Sequence, residues 1–164
     1  METIYAKLIV CLLTIYTNII EKTNFSECQH RVNRLNCVSF LSNSSGDTIS
    51  FRIASVHPLI GRQLVFTING ALVPKVVTAD RCEKALGLKA KRFVNGWLES
   101  SSRIDLVDIR RQRRGRYYRL IGGVEVDGQR LDRVLIDEGL AVSTSNRNAK
   151  TFSWCDVLEM REWS

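Results

Sequence analysis

The 164-residue chain holds only two prolines and ten glycines, never in blocks, which excludes collagen-like and low-complexity readings. Its two histidines, His30 and His57, have no ligand-spaced partner and no C-x-x-C occurs, so the sequence offers no structural zinc framework. Both histidines read as surface or turn residues, the second pinned by Pro58. There is no internal repeat, and no apolar run reaches the roughly 20 residues of a full bilayer span. Acids are scarce too: 17 against 24 lysines and arginines, a net charge of +7. What is present, 45% hydrophobic and 25% charged residues over the length of one domain, implies a compact fold rather than a disordered chain.

The positive excess is concentrated. Between Ser101 and Leu120 stand Arg103, Arg110, Arg111, Arg113, Arg114, Arg116 and Arg119 against Asp105 and Asp108 alone, so this window carries 7 − 2 = +5. Such a run is either a solvated basic loop or a contact for a polyanion.

At the N-terminus, a short polar start with one lysine precedes Leu8–Ile20, an apolar run broken only by Thr14, Thr17 and Asn18. That layout resembles a signal-peptide core, with an uncleaved membrane anchor and a buried helix as the alternatives. A lipoprotein anchor at Cys11 fits poorly, because bulky Val10 precedes the cysteine and the apolar run continues past it. With residues 1–22 as leader or anchor, Cys28, Cys37, Cys82 and Cys155 remain. An even number in an exported chain suggests two disulfides with three pairings open, and nearness in sequence favours Cys28 with Cys37, leaving Cys82 with Cys155. Asn24 and Asn43 sit in N-x-S sequons, acceptors only in a host that glycosylates exported proteins.

Residues 23–36 read as an extension. Cys37–Leu41, Asp47–Ala54 and Leu64–Asn69 are β-branched or aromatic runs, the first two separated by a Ser/Asn/Gly turn, and read as strands. From Ala85 to Leu98 the apolar residues fall on one helical stripe that includes Phe93 and Trp97. Arg103–Ile109 and Tyr117–Val126 read as two further strands, and Leu131–Leu140 as a short helix stopped near Gly139. Ser143–Lys150 reads as a loop, and residues 156–164 as a tail or terminal helix. Three strands, a helix, two strands and a helix predict an α+β, mainly β domain over residues 37–155: a five-stranded OB-type β-barrel with two or three flanking helices.

Along this order lie Gly46-Asp47-Thr48, His57-Pro58-Leu59-Ile60-Gly61, Asn69-Gly70 followed by Pro74, and Glu83-Lys84 with Lys89-Ala90-Lys91. Arg114-Gly115-Arg116-Tyr117-Tyr118-Arg119, Val126-Asp127-Gly128, Leu135-Ile136 to Gly139-Leu140-Ala141, and Trp154-Cys155 follow. Together they resemble the staphylococcal-nuclease-like (thermonuclease) family over roughly residues 38–155. The resemblance implies an OB-type barrel that hydrolyses DNA and RNA phosphodiesters with Ca²⁺. Two carboxylates and a carbonyl would hold the cation, a glutamate would act as general base, and two arginines would neutralise the transition state. Carried over, one metal carboxylate falls on Asp47 and one arginine on Arg119. The other arginine falls on Thr67, the second metal carboxylate on Leu72 and the base on Lys75; Ser45 stands where the family has another carboxylate.

The leading expectation is therefore a non-catalytic thermonuclease-like domain, exported (periplasmic or secreted) or membrane-tethered. It binds nucleic acid or another polyanion through Arg110, Arg111, Arg113, Arg114 and Arg116 with Tyr117 and Tyr118, and needs no cofactor. Strand alternation sends the two tyrosines to opposite faces, one to stack on a base and the other to pack. The alternatives are an active Ca²⁺-dependent nuclease using substitute residues such as Asp80 or Glu83, and an envelope protein-interaction module meeting an acidic partner or lipid headgroups. Asp80 and Glu83 otherwise read as the polar first turn of the helix.

Overall fold

A computed structural model describes residues 28–145 and 153–156. The leader or anchor expected over residues 1–22, the sequon at Asn24 and the tail beyond residue 156 lie outside the described residues. The strands are β1 (Ser39–Asn43), β2 (Thr48–Arg52), β3 (Leu64–Ile68), β4 (Ala71–Leu72), β5 (Ile104–Arg114), β6 (Tyr117–Val126), β7 (Gln129–Arg130) and β8 (Val142–Ser143). The helices are α1 (Pro58–Gly61), α2 (Arg81–Glu99) and α3 (Leu131–Asp137). The fold is mixed and mostly strands, as the alternating and striped segments predict.

The main sheet runs β1-β2-β3-β6-β5, with β7 on β6, and β4 pairs β8 in a separate ribbon. Adjacent strands are antiparallel except β3 and β6, which run parallel with Phe66 beside Leu120 and Ile68 beside Gly122. The described strands form no continuous closed barrel. Residues just before β1 instead bond to the free edge of β5. Leu35 and Leu106 exchange both backbone bonds at 2.8 Å, Val38 N–H donates to Ile104 at 2.9 Å, and Ile109 N–H donates to Asn33 at 3.1 Å.

Period 2 in β2 explains its burial: Ile49 and Phe51 are fully buried, while Thr48, Ser50 and Arg52 face outward. Phe51 meets Phe66 edge to face at 6.5 Å between ring centroids. On α2 the inward row is Leu86, Ala90, Val94 and Leu98, at fourfold spacing. The Asp80 carboxylate caps this helix by accepting from Glu83 N–H at 2.9 Å, and the Glu83 carboxylate accepts from Lys75 N–H at 3.1 Å. Asp80 and Glu83 are thus used at the helix start, as their place in the sequence suggests. Gly87 lets the helix lie on the preceding segment: a Cβ there would stand 2.6 Å from the Lys75 carbonyl oxygen.

Cysteines pair as Cys28–Cys37 and Cys82–Cys155, which suits an oxidising, exported environment. No helix among the described residues is long and apolar enough to cross a membrane. Asn43 is buried, and its amide donates to the carbonyls of Lys91 at 2.9 Å and Ser45 at 3.2 Å. That sequon is consumed by the fold, since a glycan would replace one of the two N–H donors and has no room on a buried amide.

Candidate nucleic-acid interface

The arginine-rich segment is a strand, not a loop. β5 and β6 form a long hairpin whose last rungs are Arg110–Ile121, Arg111–Leu120, Gln112–Arg119, Arg113–Tyr118 and Arg114–Tyr117. Gly115, at φ +62°, opens the two-residue turn with Arg116, as a type II′ hairpin requires. An extra residue bulges β5 between Val107 and Arg110, where Asp108 takes φ +53°. β3 begins pairing with β6 only at Leu120, and the segment before β1 reaches no further along β5 than Ile109. Residues 112–119 therefore pair only with each other and form a two-stranded ribbon beyond the sheet, with Arg110 and Arg111 at its base.

Opposed residues share a face. Arg110, Gln112 and Arg119 lie on one side, and Arg111, Arg113, Tyr118 and Leu120 on the other. Arg110, Arg111, Arg113, Arg116 and Tyr118 are exposed on both sides of the ribbon. The Arg119 guanidinium donates from Nε and Nη2 to Gln112 Oε1 at 2.8 and 2.6 Å, which orients it across the ribbon towards β5. Arg111 sits over the Tyr118 ring at 5.7 Å. That contact occupies one face of the Tyr118 ring, one of the two tyrosines of which the sequence predicts one to stack on a base and the other to pack.

Both acids counted against the basic segment are neutralised elsewhere. Asp105 is buried and accepts from Arg34 at 3.0 Å, from Arg103 at 3.1 Å, and from the Cys37 N–H at 2.8 Å. Burial alone would raise its carboxyl; the Arg103 bond, the Cys37 N–H and Arg34 outweigh it and hold the group below its ordinary value. Arg34 also reaches Glu125 at 2.8 Å. Its own pKa is raised, chiefly by the bond to Asp105 and against the cost of burial. Asp108 pairs with Arg130 at 3.0 Å, and Arg130 turns its other edge to Asp132 at 2.9 Å. Burial works against the Arg130 charge, but these carboxylates raise its pKa. Among the described residues no carboxylate pairs with Arg110, Arg111, Arg113, Arg116 or Arg119. The window that sums to +5 in sequence is thus a base where Arg34, Arg103 and Arg130 meet Asp105, Asp108, Glu125 and Asp132, and a segment 110–119 with six arginines and no acid.

Where the ribbon leaves the sheet, Asn33, Asn69, Asp108, Arg110, Gly123 and Arg130 line a cleft of about 460 Å³. A larger hollow, about 680 Å³, lies at the opposite end of β5, around the Cys28–Cys37 disulfide and Arg103. It contains no cluster of reactive groups.

The positions carried over from the family are spread over the β1–β2 turn, β3, β4, the segment before α2 and β6. Asp47 sits in the β1–β2 turn, where its carboxylate accepts from the Ser45 hydroxyl at 2.6 Å and the Thr48 hydroxyl at 3.1 Å. Its carbonyl bonds Ile68, which pairs with Gly122, three residues along β6 from Arg119. Two strand spacings and three residue rises put the two Cα atoms roughly 14 Å apart. Thr67 is buried in β3 on the same face as Thr48 and Ile121, and so on the Arg119 side of the sheet. Leu72 is taken up in β4 opposite Val142, and the exposed Lys75 donates its backbone N–H to the Glu83 carboxylate. Ca²⁺ takes six to eight oxygen ligands, and the donors around Asp47 do not fit it: one carboxylate already engaged by two hydroxyls. Among the described residues three metal-ligating types gather at Asp80, Cys82 and Cys155, where both sulfurs are in a disulfide.

Sequence reasoning missed Arg34, Gln112 and Arg130. Gln112 carried a weak signal, as the one neutral side chain among Arg110–Arg114. Arg34 and Arg130 reach their acids from 71 and 22 residues away, and no local pattern reports that. No protein-family model matches the chain, and no curated protein matches it.

Proposed function

We propose that the chain is an exported, thermonuclease-like protein that binds nucleic acid or another polyanion and does not cleave it. The observation that carries this reading is the ribbon: six arginines on a projecting hairpin, with the nearby acids already paired. A uniformly cationic element of this kind attracts polyanions by counterion release.

Two features support the OB-type barrel. Strand order β1-β2-β3-β6-β5 with one parallel pair is that of a five-stranded Greek-key barrel, and Asn33–Val38 lies where β1 would close on β5. The site chemistry supports inactivity. Lys75 cannot serve as general base, a loss of about 10²–10⁴ in rate. Thr67 removes one charge-stabilising donor, about 10²–10³ more. Leu72 offers the cation nothing.

The test is binding of a labelled oligonucleotide across a salt series, with digestion followed in Ca²⁺ and in chelator. The expected result is a log–log slope of about −4 to −5 from five or so phosphate contacts, with no Ca²⁺-stimulated digestion. Affinity indifferent to salt refutes the polyanion reading. Digestion abolished by Asp47→Ala establishes the nuclease instead.

A further inference from the structure

The ribbon is charged on both of its faces, although a surface laid against one strand of nucleic acid needs charge on one. Arg110 and Arg119 project to one side, Arg111 and Arg113 to the other, with Arg116 at the tip. Two residue steps separate the Gln112–Arg119 rung, the first beyond β3, from the Arg114–Tyr117 rung, about 7 Å of free ribbon before the turn. The two strands lie about 4.8 Å apart. An object that narrow and that long matches the B-form major groove, about 12 Å wide and 8.5 Å deep, which admits a two-stranded β-ribbon. In that groove both faces of the ribbon look at a phosphate wall.

Single-stranded binders have a different construction, a recessed groove with aromatic platforms. Tyr118 is 64% exposed, but Arg111 covers one face of its ring, and Phe93 and Trp97 pack against the core instead. A-form RNA has a deep, narrow major groove that shuts out such a ribbon.

Resting on the polyanion reading above, we propose that the Arg110–Arg119 ribbon enters the major groove of B-form duplex DNA, with its arginines bonding phosphates on both walls and Arg116 nearest the base edges. Arg119 is already held by Gln112, so little of its side-chain freedom remains to be lost on binding.

The experiment uses the oxidised chain with a labelled 20-base-pair DNA, its single strand, and an RNA duplex of the same sequence. Duplex DNA is expected to bind at least ten-fold tighter than either. Bulky C5 substituents on the pyrimidines, which fill the major groove, weaken binding about ten-fold; a minor-groove ligand leaves it unchanged. Arg110→Ala with Arg119→Ala, and Arg111→Ala with Arg113→Ala, each lower the salt slope by about 2. These are surface substitutions, with folding verified by circular dichroism. Equal or tighter binding to the single strand, or a loss confined to one face's variant, overturns groove insertion and leaves polyanion binding standing. No salt-dependent binding to any of the three refutes both.

Discussion

Asp105→Asn tests the claim that the acids beside the arginine ribbon belong to the scaffold. The Asp105 side chain is 7% exposed and ties Arg34, Arg103 and the Cys37 N–H together, joining the segment before β1 to β5. Asparagine keeps the shape and one acceptor but removes the charge. Breaking a buried ion pair costs about 3–5 kcal/mol. The two guanidinium partners are 39% and 38% exposed and regain water when released, which brings the cost below that range, to about 2–3 kcal/mol. For a domain of this size that is a fall in Tm of about 5–10 °C. The pH dependence has a definite sign. A carboxyl whose folded pKa lies below its ordinary value stabilises fully above that value, 3.8, and loses its contribution as pH falls through the folded one. Urea unfolding at pH 7, 5, 4 and 3 should show a constant gap between the two proteins down to about pH 4, narrowing below it. A gap under about 0.5 kcal/mol at pH 7, or one that stays constant to pH 3, would refute the ion-pair account.

The two disulfides should differ in worth. Loop-closure entropy assigns about 4 kcal/mol to Cys82–Cys155, which spans 73 residues, and about 2.6 kcal/mol to Cys28–Cys37, which spans 9. Denaturation of the two Cys→Ala pairs checks the order, and a reversed ranking counts against the entropic account. Gly87→Ala should cost about 1–3 kcal/mol in urea melts, because its Cβ meets the backbone of Lys75 and Pro74 rather than a side chain that can move; an unchanged midpoint contradicts the close approach.

Much of the scaffold was legible because it is local. The β-branched runs of β2 and β3, the stripe on α2 and the turn glycine of the hairpin each depend on chain neighbours, and those are written in order. Cysteine arithmetic worked for a related reason: an even number in an exported chain leaves few choices, and the near pair was the right one. The ribbon was harder. Arg110–Arg114 shows no alternation, since both of its faces are wet and a period-2 pattern marks only a strand with one dry side. Pairing with Tyr117–Ile121 is what makes it a strand.

The sequence by itself determined the charge inventory, the elements and the replacements at Thr67, Leu72 and Lys75, because each is a property of a residue and its near neighbours. Only the tertiary structure decided which charges remain available. Arg34 and Arg130 come from distant segments to neutralise Asp105 and Asp108, and the start of β3 pairing at Leu120 marks where sheet ends and ribbon begins. Electrostatic pairing depends on distance in space, and folding sets that distance independently of separation along the chain.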